Sequence, residues 1–115
     1  MTLKQIAAVM ELESLTPGLK ADADVSAAHA SDLLSDVLAN APSGGVLLTL
    51  QVHLNVVAVA LHAAQAAVIF TSDMKPDEAV RERAVAEGLP LFATSQSTFD
   101  VAGRLYALGL RGRHG

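Results

Sequence analysis

A chain of 115 residues with a formal charge of -4 and no cysteine has room for one domain and excludes disulfide, zinc–thiolate and thiol-nucleophile chemistry. The negative balance speaks against nucleic acid, whose phosphates call for a basic face. Apolar residues make up 51 % of the chain but aromatics only 3 %, so the core is one of Ala, Val and Leu, and the surplus apolar content of so small a domain predicts a partner surface.

Met1-Thr2-Leu3-Lys4-Gln5 opens as a helix with a Thr2–Gln5 capping box and not as a secretory signal, so cytoplasm is the expected compartment. The first helix runs from Thr2 to about Met10, with Leu3, Ile6, Ala7 and Met10 on one face. A short strand is expected in Glu11–Leu15, a turn at Thr16-Pro17-Gly18 and a weaker strand in Val25–Ala30. Ser31–Ala39 reads as a helix capped by Ser31 or Asp32. The regular part follows: strand Val46–Thr49, helix His53–Ala63, strand Ala67–Thr71, helix Asp77–Glu87, strand Leu91–Thr94 and helix Phe99–Leu108. Pro76 stands near the start of the second of these helices and Gly88 at its end. Val46–Phe70 is apolar enough to pass for a membrane span, but Gln51, His53, Asn55, His62 and Gln65 are each costly in lipid, so no membrane segment is expected. Residues 1–110 are expected to form the single domain, with 111–115 a flexible basic tail.

Three of the strands, Val46-Leu47-Leu48-Thr49, Val68-Ile69-Phe70-Thr71 and Leu91-Phe92-Ala93-Thr94, end in threonine and then turn polar. Near-constant spacing with a helix in each gap is the signature of parallel strand–helix units, and the loops after such strands form one rim where ligands bind. The candidate rim is Thr49, Gln51, His53, Thr71, Ser72, Asp73, Thr94, Ser95, Ser97 and Thr98, with Lys75 and Gln96 in the same loops. Hydroxyls, amides and helix N-terminal N–H groups there can hold an anion or nucleotide. The competing reading is structural, with the threonines ending strands and Ser97 and Thr98 capping a helix.

Catalytic signatures are missing. Ser43-Gly44-Gly45 precedes a strand and has no lysine after it, so it is no phosphate cradle. His53 and His62, nine residues apart on one helix, fall on opposite faces and cannot share a metal. Asp32 and Asp36 lie one turn apart, where a hard cation is conceivable and helix-dipole and solvent roles are the plainer reading. His29 near Asp32 has no third group to make a triad. No cofactor or metal is expected.

Taken in order, Ser31-Asp32-Leu33-Leu34-Ser35-Asp36-Val37-Leu38-Ala39, Leu47-Leu48-Thr49, Val68-Ile69-Phe70, Lys75-Pro76, Leu89-Pro90-Leu91-Phe92-Ala93-Thr94, Phe99 and Leu105-Tyr106-Ala107-Leu108-Gly109-Leu110 resemble the stand-alone DRTGG-domain proteins over nearly the whole chain. Similar domains occur in phosphotransacetylases, in pyrophosphatases that carry CBS domains, and as the N-terminal domain of HPr kinase/phosphorylase, which is why stand-alone members are often labelled serine kinase-like. The resemblance implies an α/β/α sandwich with a mainly parallel sheet and a regulatory or accessory role without catalysis. The family's name comes from Asp-Arg after one strand and Thr-Gly-Gly after the next. Here Leu50-Gln51-Val52-His53 follows Thr49, and Thr71-Ser72-Asp73 keeps only the threonine. The reading is a non-enzymatic regulatory domain that forms a homodimer, with a partner enzyme subunit as its possible target. The alternatives are a sensor binding a nucleotide or phosphorylated metabolite at the rim and, behind it, a serine kinase-like enzyme. Helix His53–Ala63, apolar on most sides, is the expected dimer contact, with the C-terminal helix as the competing cover.

Overall fold

The computed structural model describes residues 1–115. Four parallel strands, β2 (Ala28–Ala30), β3 (Val46–Thr49), β4 (Ala67–Phe70) and β5 (Leu91–Ala93), lie side by side in chain order, and β1 (Glu13–Ser14) adds antiparallel to β5. Each of β3, β4 and β5 is buried along its whole length, as strands covered on both faces must be. Parallel strands laid down in one direction by crossovers of one hand put all the connecting helices on one face. That face carries α2 (Leu34–Asn40), α3 (Asn55–His62) and α4 (Glu78–Glu87), whose Val37, Val56, Ala60, Val80 and Ala84 meet Leu47, Val68, Phe70 and Leu91. The other face carries α1 (Leu3–Met10) and α5 (Thr98–Ala107), whose Leu3, Ile6, Val101 and Leu105 meet Val46, Leu48, Ile69 and Phe92. The period-two alternation of the strands thus sorts their side chains into two cores, and the result is the three-layer α/β/α sandwich.

Local chemistry sets most element ends. Thr2 and Gln5 form the expected reciprocal capping box on α1. Asp77 caps α4, accepting from the Val80 N–H at 3.2 Å, and Gly88 ends it at φ 73°. Ser97 caps α5 through the Asp100 N–H at 3.1 Å. Gly45 is required by contact, because a Cβ there would sit 2.9 Å from the Ala27 carbonyl oxygen.

Three expectations are corrected. Helix α2 begins at Leu34, and neither Ser31 nor Asp32 caps it: Ser31 Oγ accepts from the Leu33 N–H, while Asp32 turns toward β3. Only Ala28–Ala30 of the stretch 25–30 is strand, since Val25 is drawn away by a 2.7 Å bond from its N–H to the Met1 carbonyl. Helix α3 is covered within the chain by the sheet and by α2 and α4 on its flanks, not by α5, which lies on the opposite face. Val56, Val57 and Ala60 are fully buried while Leu54 and Ala58 stay exposed, so most of the apolar wrap of this helix is packing within the chain and its argument for a dimer contact weakens. Arginine at Ala60 would bury a charge in a full core and unfold the domain.

Residues 111–113 lie along the outer edge of β2. The Arg111 N–H donates to the Ser26 carbonyl at 3.1 Å and its carbonyl accepts from the Ala28 N–H at 3.0 Å. The Arg111 guanidinium stacks 3.7 Å over the Tyr106 ring, and Arg113 donates to Asn40. Asn40 in turn donates to Asp36 at 2.7 Å, and Asp36 also bonds His29 on β2 at 2.8 Å. Those two bonds, that from Asn40 first and His29 second, with Ser31 adding a third, hold the Asp36 carboxyl at about 2, below its ordinary 3.8. No helix is long and apolar enough to cross a membrane.

Candidate functional site

Thr49, Thr71 and Thr94 all stand at the C-terminal edge of the parallel sheet, in adjacent rows: the Thr71 N–H donates to the Thr49 carbonyl at 3.2 Å and the Thr94 N–H to the Phe70 carbonyl at 3.0 Å. The ten expected rim residues do not form one site, because the edge divides into two unlike halves.

At the end of β3 the polar groups satisfy one another. Thr49 Oγ1, fully buried, donates to Asp32 Oδ1 at 3.0 Å, and the same oxygen accepts the Leu50 N–H at 2.7 Å. Thr49 Oγ1 also accepts the Gln51 N–H at 3.0 Å, Gln51 Oε1 accepts the His53 N–H at 3.1 Å, and His53 Nδ1 accepts the Asn55 N–H at 3.0 Å. This ladder of short side chain–backbone turns leads the chain into α3, whose N-cap, Leu54, has no side-chain acceptor of its own. Gln51 and His53 are therefore turn-builders by position.

Beyond β4 and β5 the chain surrounds open space. A cleft of about 600 Å³ lies between the loops after these strands on one side and the end of α1 with β1 on the other; Asp73, Thr94 and Ser95 line it together with Glu11, Glu13, Lys75 and Arg104. Lys75 Nζ reaches Glu13 at 2.8 Å across the mouth. Arg104 donates to Gln96 Oε1 at 2.6 Å and to the Val9 carbonyl at 3.2 Å, tying α5 to α1. Gln96 completes the wall by donating to the Met10 carbonyl and to Thr94 Oγ1, each at 3.2 Å. Thr71 and Thr98 are engaged with each other, Oγ1 to Oγ1 at 2.6 Å, and Ser97 is spent on its cap. Of the ten candidates, three line the cleft.

The loop after β4 carries a further feature. Ser72 and Asp73 both have positive φ, 57° and 61°, a region where residues with a Cβ are uncommon. Their N–H groups are held by the Gln96 carbonyl at 2.8 Å and the Thr94 carbonyl at 3.0 Å. These are the two positions where the resemblance sets Gly-Gly after the threonine. The chain keeps a backbone shape that suits glycine without the glycines, because two hydrogen bonds to the β5 loop impose it.

Sequence reading missed Glu11, Glu13 and Arg104. Glu11 follows α1 as its C-cap at φ 55°, and Arg104 sits mid-helix on α5. Their only signal is Arg104's place on the flank of α5 away from its apolar stripe, which is too common a pattern to single it out.

The sequence matches the DRTGG domain family over residues 3–108. The chain belongs to the DRTGG-domain family. No curated protein matches it. Among solved structures, this DRTGG domain is similar to the CBS and DRTGG domains of the regulatory region of Clostridium perfringens pyrophosphatase, complexed with the activator diadenosine tetraphosphate, at a TM-score of 0.67 and 14 % identity. That likeness covers 95 % of this chain and 47 % of the other, so this DRTGG domain spans about half the length of its neighbour. The DRTGG fold is thereby shown, in a neighbour where the domain is part of a regulatory region.

Proposed function

We propose that this DRTGG domain is a regulatory or accessory domain that self-associates as a homodimer, acts on a partner enzyme subunit in the cytoplasm, and performs no chemistry of its own. The observation that carries the reading is that the groups a phosphoryl-transfer site would need are committed elsewhere. Thr49, Thr71 and Thr94 are bonded to neighbours within the fold. The Gly44 and Gly45 N–H groups, the nearest thing to a phosphate cradle, point into the Ala64 and Pro42 carbonyls at 2.8 and 3.1 Å. A cradle works by aiming free N–H groups at phosphate. Purified protein incubated with ATP and serine peptides is expected to transfer no phosphate; steady transfer that disappears on substitution at the rim would overturn the reading.

A second reading, a sensor of a nucleotide or phosphorylated metabolite, is favoured by the cleft, where Lys75 and Arg104 stand among Glu11, Glu13 and Asp73 and would have to exchange partners to meet an anion. An anion entering there would draw Lys75 from Glu13 and Arg104 from Gln96. Those exchanges loosen the contacts of β1 with the β4 loop and of α5 with α1, which is a way for a bound ligand to be felt across the domain. Ligand that binds only the native state raises the melting temperature. A thermal-shift screen with nucleotides and sugar phosphates is expected to show such a rise, and to lose it in Arg104→Ala.

A further inference from the structure

No other element covers the outer stripe of α5, although the Arg111 guanidinium lies on one face of Tyr106. Phe99 is 85 % exposed and Tyr106 59 % exposed, and Ala102 and Gly103 lie between them. Positions 99, 102, 103 and 106 follow the i, i+3, i+4, i+7 spacing that makes one continuous helical stripe. The opposite stripe, Val101 and Leu105, is fully packed on the sheet. Beside this stripe, between β2 and α5, runs a groove of about 140 Å³ lined by Ala28, Ala30, Leu48, Ala102 and Tyr106, with His29 and Arg111 at its polar side, so that an incoming aromatic ring meets the Arg111 guanidinium as well as Tyr106.

The pattern is symmetric about the middle of the helix: large at both ends, small at the two central positions. Turned end for end, a second α5 sets its Phe99 against Tyr106 and the groove, while Ala102 and Gly103 of the two copies meet at the crossing and let the backbones approach. Charge follows the same symmetry. The rim end of this edge carries exposed Asp32 and Asp100, and the other end carries Arg111 and exposed Arg113. An antiparallel pair lays the acidic end of each copy on the basic end of the other, which a parallel pair would not do. A patch complementary to itself under a two-fold closes into a dimer instead of growing into a filament.

We infer that the α5 stripe and the adjoining β2 groove form the contact with a second copy of this chain, with Phe99 as the knob and the Tyr106-walled groove as its socket. This surface rests on the self-association proposed above. It moves the contact from α3, most of whose apolar surface is packed within the chain, to the other face of the sheet.

The experiment is light scattering of the full chain over a range of concentrations, with Phe99→Asp and Gly103→Cys variants. The wild type is expected to be a dimer at high micromolar concentration. Phe99→Asp, checked for an unchanged fold by circular dichroism, is expected to raise the dimer dissociation constant at least about tenfold, as loss of an aromatic anchor does. A Cβ at Gly103 meets nothing within 4 Å and the chain has no native cysteine, so Gly103→Cys is expected to cross-link cleanly across the two-fold under mild oxidation. A Phe99→Asp protein that stays fully dimeric overturns this surface and leaves self-association standing. A wild type that is monomeric at high micromolar concentration overturns both. Growth into open-ended assemblies overturns the closed pair.

Discussion

The end of β3 and the ends of β4 and β5 look alike in sequence and do opposite things. Each strand closes on a threonine and passes into a polar loop. After β3 that loop is folded on itself, with Asp32, Thr49, Gln51 and His53 bonded in series into the start of α3. After β4 and β5 the loops wall a cleft of about 600 Å³ against the end of α1 and Glu13 of β1, with Arg104 and Lys75 reaching across it. The same strand-end chemistry is closed where the segment after β2 delivers the Asp32 carboxylate, and borders a cleft where the sheet ends in the short antiparallel β1. The polar residues of a rim therefore do not report a site; the element next to them decides.

Breaking the closed half should cost stability. Thr49→Val removes a fully buried hydroxyl and strands its partners, the Gln51 N–H and one contact of Asp32. The expected loss is about 2 kcal/mol, measured as a lower urea midpoint; an unchanged midpoint would mean that the ladder is not needed to seat α3.

The open half should respond in the other direction. Asp73 holds φ 61°, and Asp73→Gly removes the steric cost of that conformation at the price of more freedom in the unfolded chain. A net gain of about 0.5 kcal/mol is expected from thermal denaturation, and a clear loss would show that the carboxylate itself holds the loop.

The pH dependence of stability sharpens the comparison from the β2 side. Asp36 titrates at about 2 in the folded chain against an ordinary 3.8. A carboxyl with a lowered native pKa stabilises the fold above its unfolded pKa, and that contribution disappears as pH falls through the native value. The slope is therefore expected between about pH 4 and pH 2, and Asp36→Asn should flatten it. Its size is limited, since the Asp36 side chain is one-third exposed and solvent screens the pair with His29.

The smallest effect is expected at the mouth of the cleft. Lys75 and Glu13 are both more than half-exposed or close to it, and such pairs contribute about 0.5 kcal/mol or less. Lys75→Ala should leave the melting temperature nearly unchanged while reducing any shift produced by an anionic ligand. Substantial destabilisation would make Lys75 a structural strap.

Much of the architecture was legible from residue order alone. Apolar runs at regular spacing, each followed by a helix, dictate parallel strands buried on both faces, and Thr2, Asp77, Ser97 and Gly88 mark helix ends because capping involves neighbours four residues away or fewer. The threonines fall at one edge for the same reason: the direction of every parallel strand is the same. What depends on distant partners was not legible. Asp32 as a cap and as a ligand of Thr49 are equally good readings of Ser31-Asp32-Leu33, and only the register of β2 on β3 decides between them. How much of an apolar helix is left as a contact surface turns on which layers cover it, and tertiary structure put α3 between α2 and α4 and left the outer stripe of α5 without a covering element. The cleft likewise draws Glu11 and Glu13, Asp73, and Arg104 from three separate parts of the chain. Local hydrogen bonding and side-chain periodicity belong to the sequence; the choice of neighbour, and with it the difference between a filled rim and an open one, is made only when the layers close.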